Sequence, residues 1–488
     1  MVRNVFAHGA LYALAGAFSQ GMSFLLFPVL AHELAPRELG VVDLLAVLAT
    51  LVHLTIALEV VQGMARHLPD AVDPLERRAY ASTALWFTLA VYTPFALIAV
   101  VLAAPLTAAV LGRDVDPGLM RLAVAGAWWT GVMYVGQNTL RFELRPRAFA
   151  LVTVVLATVT AVTTALLLLL AAGRAEDALV GQLAGAVAGA AVALWLARRS
   201  YGVCFDAAKL RTMLAFSVPL VPASVGVFLN NYADRLAIQA TRSLSDVGVY
   251  GVGCRLSLVV GLVLLGFQGS LTPLLLSRHG DAGTPAALAR VFRLFTLLAL
   301  ALFVAVSVFA HEALAVLTGP AYQRAERLVP LLTAAAFLAG MYIFAPGLTI
   351  ARRTGPMATI SAAAGVANLG LAFALVPILG VEGAAIAFLI ASAGAFAALM
   401  ALSQRHYPVP HDWRRLAAAL ATAASAAAIG AALPDHGVQP APVAIKAALV
   451  ATAVTAIAAL LLAPDERARV RTLAGARTMT GRAAAREA

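Results

Sequence analysis

Hydrophobic residues run along this chain in blocks of about 20, separated by short polar segments that carry most of the arginines. An α-helix rises 1.5 Å per residue, so such a block is long enough to cross a hydrocarbon layer ~30 Å thick. Fourteen blocks qualify, at roughly 10–31, 39–63, 82–104, 119–140, 148–171, 178–197, 214–237, 247–272, 291–310, 328–350, 357–378, 382–402, 416–433 and 443–463. The last two are rich in alanine and the least apolar. Lipid offers no partners to backbone N–H and C=O groups, so each block predicts a helix that satisfies its own.

Composition agrees with that reading. Of 488 residues 62% are hydrophobic and 12% charged, with mean hydropathy +0.89. A soluble domain has about 45–50% apolar and about 25% charged residues. This chain has too little polar surface to coat a globule, so the expected class is an all-α polytopic membrane protein. The apolar run after Arg3 is too long for a signal peptide's core and no A-x-A site follows it, so it predicts the first membrane helix.

The net charge of +11 does not indicate nucleic acid, because the basic residues fall in short clusters without interleaved aromatics. With the N-terminus inside, 25 of the 35 Lys and Arg fall in inside segments and 9 in outside ones, with Arg255 lying within a block. That asymmetry predicts both termini on the cytoplasmic side. All loops are short, and no G-x-x-x-x-G-K-[ST] occurs, so neither a soluble catalytic domain nor a built-in ATPase is expected. Cys204 and Cys254 form no disulfide framework, and His406 and His411 lack a third ligand nearby, so neither a metal nor another cofactor is expected. The Arg/Ala-rich tail after Pro464 is expected near anionic lipid.

The chain also repeats itself. ELAPRELGVVDLL, around Gly40, recurs 208 residues later as TRSLSDVGVYGVG, around Gly248, and Arg145 finds its counterpart in Arg353 at the same lag. Arg198 pairs with Arg405 at a lag of 207. Two direct repeats of six helices follow, both entering the membrane from the same side, with sites expected where they meet. The expected division is an N-terminal lobe at 1–200, a cytoplasmic linker at 201–213, a C-terminal lobe at 214–405, helices 13 and 14 within 406–464, and a basic tail at 465–488.

Candidate chemistry lies where charge enters the apolar blocks. Charged residues at the centre of a membrane helix cost at least ~2.5–3.5 kcal/mol each and usually face a bundle interior or wet cavity. On the seventh block Asn230 and Asp234 share one face, and Asn231 and Arg235 the adjoining one. Arg255, on the eighth, lies ~10–14 Å from the outer end and needs an interior partner or an anionic ligand. Asp234 could neutralise Arg255 or Arg235, or release its arginine to a ligand. Glu59, Gln62 and Arg66 form a stripe on the second block, and Tyr134, Asn138 and Arg141 another on the fourth. Arg66 and Arg141 lie near the inner interface, where they could also snorkel to headgroups. Glu59 either pairs with one of those arginines or, like Asp234, is a candidate for ion coupling. Pro28, Pro94, Pro219, Pro222, Pro346 and Pro377 fall inside blocks and mark expected kinks.

FPVLAHELAPRELGVVDLLAVLATLV, LEVVQGMARHL, SVPLVPASVGVFLNNYADRLAIQATRSLSDVGVYGVGCRLS and GPAYQRAERLVPLLTAAAFLAGMYIFAPGLTIARRTG, followed by ANLGLAFALVPILGVEGAAIAFLIASA, cover most of residues 15–400. In order and spacing they resemble the polysaccharide and oligosaccharide flippases of the MOP superfamily, the Wzx-like exporters. The resemblance implies a V-shaped MATE/MOP-like bundle of two six-helix lobes plus two extra C-terminal helices, working by alternating access in a bacterial cytoplasmic (inner) membrane. The implied substrate is an undecaprenyl-pyrophosphate-linked oligosaccharide, moved from inner to outer leaflet for polysaccharide, O-antigen or capsule biosynthesis. The implied partners are that lipid-linked oligosaccharide, membrane lipid, and the polymerase and glycosyltransferases of the pathway. Arg pairs with pyrophosphate through bidentate, charge-assisted bonds, which makes Arg255, Arg235 and Arg141, with Asp234, Asn230 and Asn138, the substrate-binding candidates. The same superfamily holds lipid II flippases and cation-coupled multidrug exporters. A membrane glycosyltransferase or polymerase would use a large loop or an acidic pair at the membrane surface, and this sequence has no such loop.

Overall fold

The computed structural model describes residues 2–171, 173–257, 261, 281, 283–351, 353–433, 440–463 and 466. Among them every regular element is helical. In chain order these are α1 (Val2–Glu33), α2 (Pro36–Thr55), α3 (Val60–His67), α4 (Pro74–Val101), α5 (Ala103–Val110), α6 (Pro117–Phe142), α7 (Pro146–Leu170), α8 (Ala175–Ala197), α9 (Ala207–Ser217), α10 (Val221–Thr241) and α11 (Leu244–Ser257). Then follow α12 (Thr284–Val308), α13 (Ala310–Leu317), α14 (Leu328–Gly340), α15 (Gly347–Ile350), α16 (Thr354–Leu379), α17 (Val381–His406), α18 (Trp413–Ala432) and α19 (Pro440–Leu461).

Twelve stretches among the described residues are helical, long enough and apolar enough to cross a membrane. They correspond to twelve of the fourteen expected spans. The fourth is the 26-residue α6, which carries Arg121 and Arg141 and is less apolar. The eighth is α11, followed only to Ser257 because most of its remainder lies outside the described residues.

The second span departs from expectation. Instead of one helix over 39–63, α2 ends at Thr55 and α3 begins at Val60. Between them Leu58 and Glu59 adopt left-handed φ of 49° and 54°, a conformation that costs a non-glycine residue about 1–2 kcal/mol. Glu59 therefore stands at the break, and the predicted stripe with Gln62 and Arg66 does not start from a helical residue. The seventh span is interrupted as the prolines predict: a 3₁₀ turn, Val218–Leu220, separates α9 from α10. Residues 207–213, expected in a linker, are helical within α9, whose first N–H groups are capped by the Asp206 carboxylate at 2.9 and 3.1 Å.

The chain packs as two compact units. The first comprises 1–256, 316–328 and 355–395. In it α8 lies against α6 and α7, α1 against α7, α4 against α6, and α2 against α6 and α10. Small residues allow these approaches: Gly181 and Gly185 of α8 seat directly on Thr164 and Thr160 of α7. The α1–α2 turn is held by Tyr322 Oη, which donates to the Leu34 carbonyl at 2.8 Å, and by Gly319 N–H, which donates to Ala31 at 3.0 Å.

The second unit comprises 257–315, 329–354 and 396–488. Here α12, α18 and α19 pack together around Phe292, Phe295, Phe337 and Phe344. Lys446 of α19 is buried and donates to Glu312 Oε1 of α13 at 2.7 Å. The sequence placed Lys446 in an outside segment; a helix that starts at Pro440 carries it into the packed interior instead.

Candidate functional site

In the first unit, α2 and α11 cross at the two glycines of the sequence repeat. A Cβ on Gly40 would overlap the Leu244 carbonyl, and a Cβ on Gly248 would overlap that of Pro36. Pro36 is the repeat counterpart of Leu244, so each glycine meets the residue equivalent to the one that meets its partner. The crossing is two-fold symmetric in backbone.

In charge it is not. One turn along α2 stands Asp43, 7% exposed, and the same turn of α11 has Gly251. The missing side chain at Gly251 makes room for the Asp43 carboxylate. Arg255, one further turn along α11, closes on that carboxylate with both terminal nitrogens, Nη1 donating to Oδ2 at 3.3 Å and Nη2 to Oδ1. Its repeat counterpart is Val47. The partner of Arg255 is thus Asp43, a residue that sequence reasoning did not single out, and not Asp234.

Asp234 is engaged elsewhere. It is 2% exposed and accepts from Tyr250 Oη of α11 and, at 2.9 Å, from the Arg235 main-chain N–H. Its Oδ1 lies 3.6 Å from Arg235 Nη1. The Arg235 guanidinium is 5.5 and 5.7 Å from the Tyr232 and Tyr250 ring centres, within cation–π range. Asp43 lies within electrostatic reach of Arg235 as well. Two arginines and two carboxylates on α2, α10 and α11 therefore form one charge-balanced cluster: Asp43, Asp234, Arg235 and Arg255.

The other candidates are distributed around it. Asn230, one turn before Asp234, offers its carbonyl to Asn368 Nδ2 of α16 at 3.0 Å, and the Oδ1 atoms of both asparagines are buried without a hydrogen-bond partner. A cavity of about 420 Å³ opens between the second span and α10, lined by Thr50, Gln62, Ser224, Asn231 and Tyr232 among others. Glu59 borders that side, with Oε1 accepting from Ser224 Oγ at 2.8 Å. Asn138 and Arg141 do not join the cluster. Asn138 is buried on α6 and donates to the Tyr134 carbonyl at 2.9 Å, while Arg141 is exposed with its guanidinium 6.0 Å from the Tyr12 ring centre. Among the described residues no group of three or more His, Cys, Asp and Glu side chains is arranged to hold a metal.

The charge cluster can do two things chemically. Closed, it ties α2 to α11 with a bidentate, partly buried ion pair. Opened, it would release two guanidinium groups that recognise an oxyanion with fixed geometry.

This helical architecture, with its charged cluster among long apolar helices, defines an all-helical polytopic membrane fold. It is similar to a solved lipid II flippase MurJ in an inward closed conformation, with TM-score 0.72 and 11% identity over 92% of this chain and 98% of that one. It is also similar to an inward-facing multidrug resistance MATE family transporter of the MOP superfamily, with TM-score 0.59 and 15% identity over 81% and 94%. A mutant of the Vibrio cholerae MATE transporter VcmN gives TM-score 0.55 and 15% identity over 83% and 96%. At these identities the likeness shows the fold. No curated protein matches the chain by sequence. The model of the polysaccharide biosynthesis protein family matches residues 29–327, more than half the chain, and the chain belongs to that family.

Proposed function

We propose that the chain is a flippase that carries a lipid-linked oligosaccharide with a pyrophosphate headgroup from the inner to the outer leaflet, by alternating access of its two six-helix repeats, 1–200 and 214–405. The observation that carries this reading is Arg255: a guanidinium in an expected membrane span, held in reserve by Asp43, with a second guanidinium, Arg235, within electrostatic reach of the same carboxylate. A pyrophosphate cannot cross hydrocarbon bare, and paired arginines are the side chains that match its oxygens. For a headgroup of about −2, an inside-negative potential of ~100 mV favours outward passage by roughly 4–5 kcal/mol. The family membership supports the pathway, and the charge asymmetry supports an inner-membrane setting with both termini cytoplasmic. In that setting the partners are the glycosyltransferases that build the substrate and the polymerase that consumes it.

The test is surface glycan in cells that depend on this chain. Arg255→Ala is expected to abolish it while the protein still inserts, and Arg255→Lys to restore it only in part, because an ammonium cannot reproduce the bidentate contact. Normal glycan with Arg255→Ala would falsify the role given to that residue. The fold likeness to MurJ favours lipid II as the second reading; rescue of cells lacking their lipid II flippase separates the two. A multidrug exporter of cationic compounds is disfavoured, since each carboxylate of the cluster already has an arginine partner.

A further inference from the structure

A second polar array lies in the first repeat, apart from the arginine cluster. His53, near the end of α2, has its Nδ1 3.2 Å from Tyr92 Oη of α4, and its ring packs edge-on against Tyr134 of α6 at 4.4 Å between centres. Gly131 has no side chain where the Tyr92 ring passes. His53 separates two cavities. On one side is a cavity of about 220 Å³, lined by Thr50, Thr130 and Gln182 among apolar residues of α2, α6 and α8. The α6 and α8 residues of this cavity come from the halves of those helices that the charge pattern assigns to the outside. On the other side is a chamber of about 10 Å³, close to the room one water needs, bordered by His53, Glu59, Thr88, Tyr92 and Tyr134. Glu59 closes that chamber, and its Oε1 accepts from Ser224, which lines the larger cavity beside α10.

We propose that His53 and Glu59 form a proton route through the N-terminal repeat, with the one-water chamber between them, so that the coupling ion is H⁺. The inference rests on reading the chain as a transporter. In the forward step, imidazole takes a proton from hydronium in the 220 Å³ cavity, leaving water, and passes it through the chamber to the Glu59 carboxylate. Only N–H and O–H bonds change: His53 ends neutral and Glu59 ends as a carboxylic acid. The titratable groups facing this path are Tyr92 from α4 and Tyr134 from α6. Arg141, further along α6, reaches Tyr134 electrostatically. From α8 comes the uncharged Gln182 and from α10 the uncharged Ser224.

The position of Glu59 gives the proton a mechanical consequence. Glu59 sits at the break between α2 and α3 in a left-handed conformation, and its carboxyl group accepts a hydrogen bond from Ser224 of α10. A carboxylate holds that bond roughly twice as strongly as a neutral carboxylic acid does. Protonation weakens the tie between the second span and α10 at a point where the backbone is already strained.

Time-resolved infrared difference spectroscopy of the purified chain in anionic liposomes, after a jump to acid pH, reads the proton without any substrate. The expected result is a carboxylic C=O band that Glu59→Gln removes and Glu59→Asp retains at a shifted frequency. His53→Gln and Tyr92→Phe should slow its appearance. A band that survives Glu59→Gln, or unchanged kinetics in both His53→Gln and Tyr92→Phe, overturns the route. Should Glu59→Gln prove unfolded by circular dichroism, an unshifted band in Glu59→Asp overturns it equally. Because no glycan enters the measurement, a failed Arg255 test with an intact Glu59 band would remove the substrate reading and leave the proton route standing.

Discussion

Gly40 and Gly248, separated by 208 residues, lie against each other across the α2–α11 crossing, and a side chain on either would strike the backbone carbonyl four residues before the other. Their close approach sets the distance over which Arg255 reaches Asp43. A branched side chain at either glycine is therefore expected to force α2 and α11 apart.

Gly40→Val and Gly248→Val should each destabilise the chain by at least about 1–3 kcal/mol, the usual penalty of overpacking, because the obstruction is backbone and cannot rotate away. Thermal unfolding in detergent measures it. Gly16→Val is the control, since that glycine faces open space within 4 Å. Equal melting temperatures for Gly40→Val and Gly16→Val would show that the crossing does not contribute to stability.

The Asp43–Arg255 pair is suited to a double-mutant cycle. Removing either partner leaves a charge in a mostly apolar interior, a loss of about 3–5 kcal/mol when the pair is well buried; with Arg255 25% exposed, the lower end is expected. Asp43→Ala combined with Arg255→Ala should cost clearly less than the two single losses together, because no orphan charge is left. Additive losses in chemical denaturation would mean that the two side chains act independently.

These features differ in how far they could be read from the sequence. The spans were legible because a block of about 20 apolar residues has one low-cost structure in lipid. Arg255 was legible because a charge deep in such a block demands a reason. Asp43 lies one turn nearer the end of its own block, but a signal existed there too: at the 208-residue lag an acid stands opposite a glycine. What the sequence did not contain was the pairing, since that depends on a helix crossing between residues 212 apart. The break at Leu58–Glu59 was hidden for another reason. Neither residue is a helix breaker, and the left-handed turn is set by tertiary packing rather than by local preference. The 3₁₀ turn at Val218–Leu220, by contrast, follows from Pro219 and Pro222.

Lys446 and Glu312 fasten α19 to α13 within the second unit. Both are buried, and the Lys446 ammonium donates to Glu312 at 2.7 Å. Lys446→Met keeps the apolar stem and removes the charge, leaving a buried carboxylate to be protonated or exposed. A stability loss of roughly 3–5 kcal/mol is expected at neutral pH, and Lys446→Met with Glu312→Gln should recover much of it. Hydrogen exchange across α19 is the measurement; protection unchanged in the single variant would show that this helix is held by its apolar face alone.

His411 predicts how stability depends on pH. It lies in the loop between α17 and α18, with its ring 4.6 Å from that of Phe292 and 5.1 Å from that of Trp413. Both ring nitrogens are buried without a hydrogen-bond partner. Burial pushes the imidazole pKa below its ordinary value of 6.5, because this apolar site does not solvate the cation. The sign follows from linkage. The unfolded chain binds the proton more readily than the folded one, so this contribution is fully present above pH 6.5 and is lost as pH falls towards the lower folded value. His411→Phe keeps an aromatic ring against Phe292 and Trp413 and removes the titration. The melting temperature of the wild type should therefore fall more steeply below pH 6.5 than that of His411→Phe, with the two curves parallel above it. Parallel curves throughout would mean that His411 accepts its proton without leaving the Phe292–Trp413 site.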